Sequence, residues 1–303
     1  MGWPNRLAGC TPSVIQQTPT VPEPESSNLG MRERLRRFIG AWQPFTGVGL
    51  AAFADAQTSR VCGFQCVAAA GIGILLVISL RLAWFPVIER ALPNLPESAP
   101  LLAGRLHWPD PAPVRLAENS WLGWVVEPTA VPIPDALGQT ADIQLQLRPA
   151  SVRIRGIFGH LEQPYPVTWR ADLGRIPAMA TWNAWRRPVM ILVGLGTAGA
   201  LLLSWWTLAT VYLPFVWLIS RVAGRPISAL GSWRMASAAL LVGATVGTIG
   251  IAAYATGAVR LPGLLVSQVL HLPVGWIWLL WGILSRPPGT GPVRRGSGKN
   301  PFA

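Results

Sequence analysis

Ser267 and His271 stand four residues apart in an apolar run, a spacing that places both on one face of a helix. A hydroxyl beside an imidazole is the chemistry of an activated nucleophile, in which the ring accepts the proton as the oxygen attacks. No Gly-x-Ser-Gly loop accompanies the pair, and Pro273 offers both a structural reason to be there. A helical proline leaves the carbonyl one turn earlier without its amide partner, and a nearby polar side chain relieves that defect. His271 is still the one histidine deep within an apolar run, so it is the best intramembrane candidate for a function, with Ser267 beside it.

Two glycine patterns invite a nucleotide reading. Gly194-Leu195-Gly196-Thr197-Ala198-Gly199 matches the dinucleotide fingerprint, which needs a solvated helix start and an acid about 20 residues later. Here mostly apolar residues follow, Trp205 and Trp206 among them, and no Asp or Glu occurs after Asp172. Glycines so placed are expected to serve helix packing. Gly296-Ser297-Gly298-Lys299-Asn300 resembles a phosphate loop, but Val293 stands where its first glycine belongs and Asn300 replaces the magnesium-holding hydroxyl. Cys62 and Cys66 share a helical face without a further ligand pair, which suits packing or lipid contact. His107 and His160, with Asp110, Glu118, Glu127, Asp135, Asp142, Glu162 and Asp172, show no metal-ligand spacing. The sequence therefore assigns no catalytic residue, metal ligand or cofactor.

The elements that would position these groups are mostly long and apolar. Runs at 61–85, 188–219, 235–258 and 261–285 each reach the ~20 residues that a helix needs to cross a bilayer. The second is long enough to tilt or kink at Pro214. Ala239, Gly243 and Gly247 form a ridge of small residues along the third, a surface that lets another helix approach closely. Tryptophans gather at the run ends: Trp84, Trp182 and Trp185 at one level, Trp217, Trp233 and Trp281 at the other, with Trp276 and Trp278 beside the last. The fold class expected is an α-helical membrane protein: four transmembrane helices with a small β-rich extracytoplasmic domain, 86–187, between helices 1 and 2.

Within that domain, Asp142–Arg148 and Val152–Ile157 alternate polar and apolar residues on either side of a short linker. That pattern predicts an antiparallel hairpin with one buried face. Weaker strand signals lie at Val114–Leu116 and Trp121–Val126, and any helices there are expected to be short.

The net charge of +12 follows the apolar runs rather than forming a nucleic-acid surface. With both termini and the 220–234 loop inside, the cytoplasmic face carries thirteen basic residues. The ten arginines of 86–187 are diluted among nine acids, as the positive-inside rule allows for a long domain. Residues 1–30 are rich in Pro, Thr, Gln and Ser and are expected to be disordered; the basic tail 286–303 is expected to be mobile. Segment 31–60 opens with Leu35, Phe38, Ile39 and Trp42 at helical spacing among arginines, a basic amphipathic helix suited either to the headgroup layer or to packing on the span ends. Met31 is a possible translation start. Leu7-Ala8-Gly9-Cys10 spells a lipoprotein box, but only a short polar stretch precedes it in this sequence, so lipidation is not expected. The preponderance of Arg over Lys suits a GC-rich bacterial genome.

Several short motifs stand in this plan: Trp42-Gln43-Pro44-Phe45 before the first span, Leu92-Pro93 and Gly104-Arg105-Leu106 opening the outer domain, and Asp135-Ala136-Leu137-Gly138-Gln139-Thr140 within it. Together with the order of segments from 31 to 286, they resemble a bacterial family of four-span membrane proteins of unknown function, some associated with maltodextrin utilisation. The resemblance implies a special turn at Asp135, Gly138 and Thr140, and Pro134 departs from the family's pattern there. It brings no reaction or ligand.

These readings converge on a non-enzymatic, multi-pass protein of a bacterial inner membrane, whose outer domain senses, binds or scaffolds an envelope protein or glycan. Its expected partners are the lipid bilayer and that envelope component, with no nucleic acid. The rival expectation is a transporter or channel component, made oligomeric through the Gly243–Gly247 ridge.

Overall fold

The computed structural model describes residues 44–128 and 141–289, all within the compact unit Ala41–Ala303. Three α-helices precede the strands: α1 (Gly47–Phe53), α2 (Thr58–Ala83) and α3 (Phe85–Ala91), followed by a 3₁₀ turn at Leu92–Asn94. Eight strands follow: β1 (Pro100–Leu102), β2 (Arg105–Leu106), β3 (Val114–Glu118), β4 (Leu122–Val126), β5 (Ile143–Leu147), β6 (Ser151–Gly156), β7 (Gly159–Pro164) and β8 (Arg170–Asp172). The chain then forms α4 (Arg175–Val222), α5 (Ala229–Ala255) and α6 (Leu261–Leu284). Four helical segments, built on α2, α4, α5 and α6, are long and apolar enough to cross a membrane.

The strands do not lie between the first two helices, as the sequence suggested. Two short helices that flank α2, namely α1 and α3, put the sheets between the third and fourth. Helix α1 has only seven residues, so packing rather than propensity holds it. The Gly49 amide donates to the Thr46 hydroxyl as an N-cap, while Leu50 and Phe53 enter the bundle core. Helix α3 starts at a proline in its first turn, where no amide is required. Of the basic amphipathic segment read at 31–60, residues 31–43 lie outside the described residues, as do Cys10, Asp135, residues 1–30 and residues 290–303. The start of the tail expected to be mobile is instead fixed, with Arg286 buried.

A second correction concerns α4. It starts at Arg175, far upstream of Pro188, and runs for 48 residues. At 1.5 Å per residue it is about 72 Å long, more than twice the ~30 Å of a bilayer's hydrocarbon. Its first turns therefore belong to the sheet region, where Ala178 and Trp182 pack on the core of Leu92, Leu101, Leu116, Val126 and Leu147. Trp182 meets Phe85 edge to face at 4.8 Å. The region read as β-rich with short helices is thus built against a long one.

The predicted hairpin forms, with β5 and β6 antiparallel and Leu145 opposite Ile154. The alternation does not mark its buried face, however: Gln144 and Gln146 are buried, Ile143 and Leu145 half-buried, and Ile154 44% exposed. Strands β3 and β4 fall on the two weaker signals. The five-stranded sheet runs β3-β4-β5-β6-β7, and a three-stranded sheet runs β2-β1-β8. Strands β4 and β5 are parallel.

In the bundle, α5 is the central helix. Of its most apolar window 61% is buried, against 6% for α4. Small residues make this possible: Gly231, Ser232, Ala236, Ser237, Ala238, Ala239, Gly243, Gly247 and Gly250 are all buried. Helices α2 and α4 cross at glycines, where a Cβ on Gly73 would sit 2.6 Å from the Gly194 carbonyl oxygen. The fingerprint-like stretch is therefore mid-helix, and Gly194 does pack. Gly196 and Gly199 meet no neighbour, so the packing expectation holds for one glycine of the three.

Contacts at the helix ends fix which ends share a side. At one end the Arg286 guanidinium, 5% exposed, donates to Asp55 and to the Ala51 carbonyl, both at 3.2 Å. There too Arg225 donates to the Ile283 carbonyl, Arg234 to the Thr58 hydroxyl and the Gly289 amide to the Gly224 carbonyl. The sheets sit at the opposite end, against the end of α2 and the α5–α6 turn.

Candidate functional site

Ser267 and His271 do not form a nucleophile–base pair. The Ser267 hydroxyl donates to the Leu264 carbonyl at 2.6 Å, and the His271 ring donates through Nδ1 to the Gln268 carbonyl. Both bonds turn back into α6, and neither reaches the carbonyl of Val269 that Pro273 deprives of its amide. The two residues instead form part of the seam with α5. A Cβ on Gly243 would strike the His271 carbonyl oxygen, and one on Gly250 would strike the Ser267 hydroxyl. One on Gly247 would come within 3.1 Å of the Gln268 amide, which also donates to the Gly247 carbonyl at 3.1 Å. Across the seam Gly275 lies against the Ala239 carbonyl, 3.6 Å from where its Cβ would be.

The ridge of Ala239, Gly243 and Gly247 is therefore occupied by α6 of the same chain. It is not a free surface for a second copy, and a homo-oligomer would have to use another face.

A second polar node escaped the sequence reading. Gln65 on α2 is fully buried; its amide donates to the Ser237 carbonyl at 3.4 Å and accepts from the Trp206 indole at 3.0 Å. One side chain thus joins α2, α5 and α4. Both ends of this buried amide find partners, as most buried polar groups do. The available signal was a glutamine inside an otherwise apolar run. Cys62, half-buried, and Cys66, exposed, are free thiols on the same helix.

The third group is the mount of the sheets on the bundle. Asn119 ends β3 and turns the chain by accepting the Trp121 and Leu122 amides on its side-chain oxygen. Its amide nitrogen donates to the Ala83 carbonyl at 2.6 Å, at the end of α2. The Trp121 indole donates at 2.9 Å to the Tyr254 carbonyl, in the last turn of α5. Its ring lies over Gly257, whose φ of +76° makes the α5–α6 turn with a residue free of Cβ strain. Asp142, beside β5, accepts the Leu261 amide at 3.2 Å. A carboxylate at the first turn of α6 is placed where the helix dipole favours negative charge, an effect of about 0.3–1 kcal/mol. One loop and one aspartate thus fasten the sheets to the ends of three apolar helices.

Away from the mount, Glu162 on β7 receives the Ser151 hydroxyl and the Arg153 and Arg148 guanidinium groups. The Ser151 and Arg153 bonds hold its carboxyl down at about 2. Asp172 is also lowered, by the Ala99 and Gly174 amides and the Ser98 hydroxyl, which together fix the turn into α4. A carboxylate depressed by folding stabilises the folded state above its unfolded pKa and loses that contribution as pH falls through the folded value. For Glu162 the window runs from about 4.5 down to about 2. We expect Glu162→Gln to flatten the acid loss of stability in this window, and to cost less than ~1 kcal/mol at neutral pH because the cluster is exposed. Unfolding followed from pH 7 to 3 checks this; parallel curves for the two proteins would refute it.

Comparison with known proteins finds no matching family model, no matching curated protein and no matching solved structure.

Proposed function

We propose that the chain is a multi-pass protein of a bacterial inner membrane, non-enzymatic, whose sheet domain senses, binds or scaffolds an envelope component. The supporting observation is the mount: Asn119, Trp121 and Asp142 fasten the sheets to the ends of α2, α5 and α6. A partner engaging the sheets would act on the spans without an intervening linker. Orientation follows from charge. Arg60, Arg221, Arg225, Arg234 and Arg286 gather toward the end opposite the sheets, which the positive-inside rule assigns to the cytoplasm.

The place for a partner is the far edge of the larger sheet. Strand β7 is exposed along its whole length and pairs among the described strands with β6 alone. Phe158 and Leu161 at this edge are 84% and 68% exposed. An unpaired edge is a template for strand addition, and the apolar side chains beside it supply contact area. A photo-crosslinking residue at Leu161, introduced in cells, should yield a discrete adduct with an envelope protein or glycan. The same residue at Leu195, on the bundle surface, should label lipid. If no β7 position gives a discrete adduct while purified protein in proteoliposomes carries solute, the transporter reading replaces this one.

A further inference from the structure

The strongest unassigned feature is a polar cavity on the sheet side of the bundle. It has a volume of about 220 Å³ and lies between α2–α3 and α4, lined by Arg81, Phe85, Glu89, Arg186, Arg187 and Met190. A second hollow of about 170 Å³ adjoins it, sharing Glu89 and Arg186 and walled by Trp182 and Asn183. Three guanidinium groups face one carboxylate. The Arg186–Glu89 approach is long, 3.9 Å, and Arg81 and Arg187 have no carboxylate within ion-pair range among the described residues. Two positive charges are left over.

Their level in the fold gives the excess a meaning. Arg81 lies in the last turn of α2, and Arg186 and Arg187 stand immediately before the apolar run that begins at Pro188. Trp84, Trp182 and Trp185 occupy the same stretches, as aromatic residues do at the headgroup layer of a membrane. Clustered arginines on this side also run against the positive-inside trend, so they call for a counter-charge that the described residues do not provide. A phosphate oxygen pair matches the planar fork of a guanidinium, and bonds between these charged partners are about twice as strong as neutral ones.

We propose that this cavity is a binding site for the phosphate of an anionic phospholipid from the leaflet on the sheet side. The inference rests on the membrane reading proposed above. Arg81 and Arg187 hold the phosphate oxygens from two helices, while Arg186 neutralises Glu89 and keeps that carboxylate from repelling the ligand. Phe85 and Met190 line the side on which the glycerol and acyl chains leave. The lipid thereby staples α2 to α4 at the level where the sheets begin.

The test uses the full chain purified in a neutral maltoside detergent and titrated separately with phosphatidylglycerol, phosphatidylcholine and inorganic phosphate. Thermal unfolding and native mass spectrometry report stabilisation and stoichiometry. Saturable binding of phosphatidylglycerol is expected, weakened about tenfold by Arg187→Gln and further by Arg81→Gln with Arg187→Gln. It should be unchanged by Arg170→Gln, a control on strand β8. Should the double variant fail to fold, Arg187→Gln alone decides, because that side chain is exposed and makes no ion pair among the described residues. Equal binding of the zwitterionic lipid, or an undiminished response in Arg187→Gln, would overturn the site. An equal response to inorganic phosphate would overturn the lipid as its source. A chain that stays soluble without detergent would instead defeat the membrane reading, an outcome distinct from these.

Discussion

Replacing Gly243 by leucine should destabilise the protein strongly, whereas the same change at Gly196 should be nearly silent. A Cβ on Gly243 would collide with the carbonyl oxygen of His271 and lie 3.5 Å from the Gly275 amide nitrogen. Both are backbone atoms of α6, so no side-chain rotation relieves the clash, and the helices must separate. Overpacking of this kind costs about 1–3 kcal/mol, and more where the backbone has to move. Separation would also stretch the bond from Gln268 to the Gly247 carbonyl in the next turn. Opposing this is helix propensity, which favours a leucine over a glycine by under ~1 kcal/mol. At Gly243 the clash wins.

At Gly196 no clash exists, because nothing lies within 4 Å of the added carbon. Only the propensity remains, and the variant should melt at or slightly above the temperature of the parent. Thermal unfolding in detergent, read by circular dichroism, distinguishes the two positions. A Gly243→Leu protein as stable as the parent would show that α5 and α6 do not meet as described.

These two glycines also illustrate what could be read from the sequence. Gly243 and Gly247 recur at a four-residue spacing, which marks one helix face, and that face does carry a neighbour. The pattern names a packing surface without naming its occupant. Both α6 and a second copy satisfied it equally, and only the fold decides. Gly194, Gly196 and Gly199 share one motif, yet just the first lies at a crossing point, because the direction of a helix face depends on where the next helix runs.

The same limit explains the rest. Runs of apolar residues report length and composition, so the four long helices were legible. Alternation over Asp142–Arg148 and Val152–Ile157 pointed to the β5–β6 hairpin, since a short linker permits hardly any other pairing. The parallel pairing of β4 with β5 was not legible, because alternation does not record which strand is adjacent. Helix α1 depends on contacts with α5 and α6 that are remote in sequence. The start of α4 was hidden for a different reason: Ile176, Met179 and Trp182 have helical spacing, but the polar residues among them resemble the domain before it. Gln65, Trp121 and Asp142 were missed as a site because each is ordinary by itself. Their meaning comes from partners more than a hundred residues away.

The account stands or falls on which side of a membrane each part occupies. Reporter fusions placed after Arg175, after Gly224 and at Ala303 test it most directly. Arg175 opens α4 beside the sheets, and Gly224 lies in the α4–α5 turn at the opposite end of the bundle, bonded to Gly289 beyond α6. The fusion at Arg175 should behave as exported, and those at Gly224 and Ala303 as cytoplasmic, in line with the arginines at that end. A cytoplasmic signal at Arg175 would invert the arrangement and place the sheets inside the cell. An exported signal at Ala303 with Gly224 still inside would mean that α5 or α6 fails to cross, contradicting the four-span account.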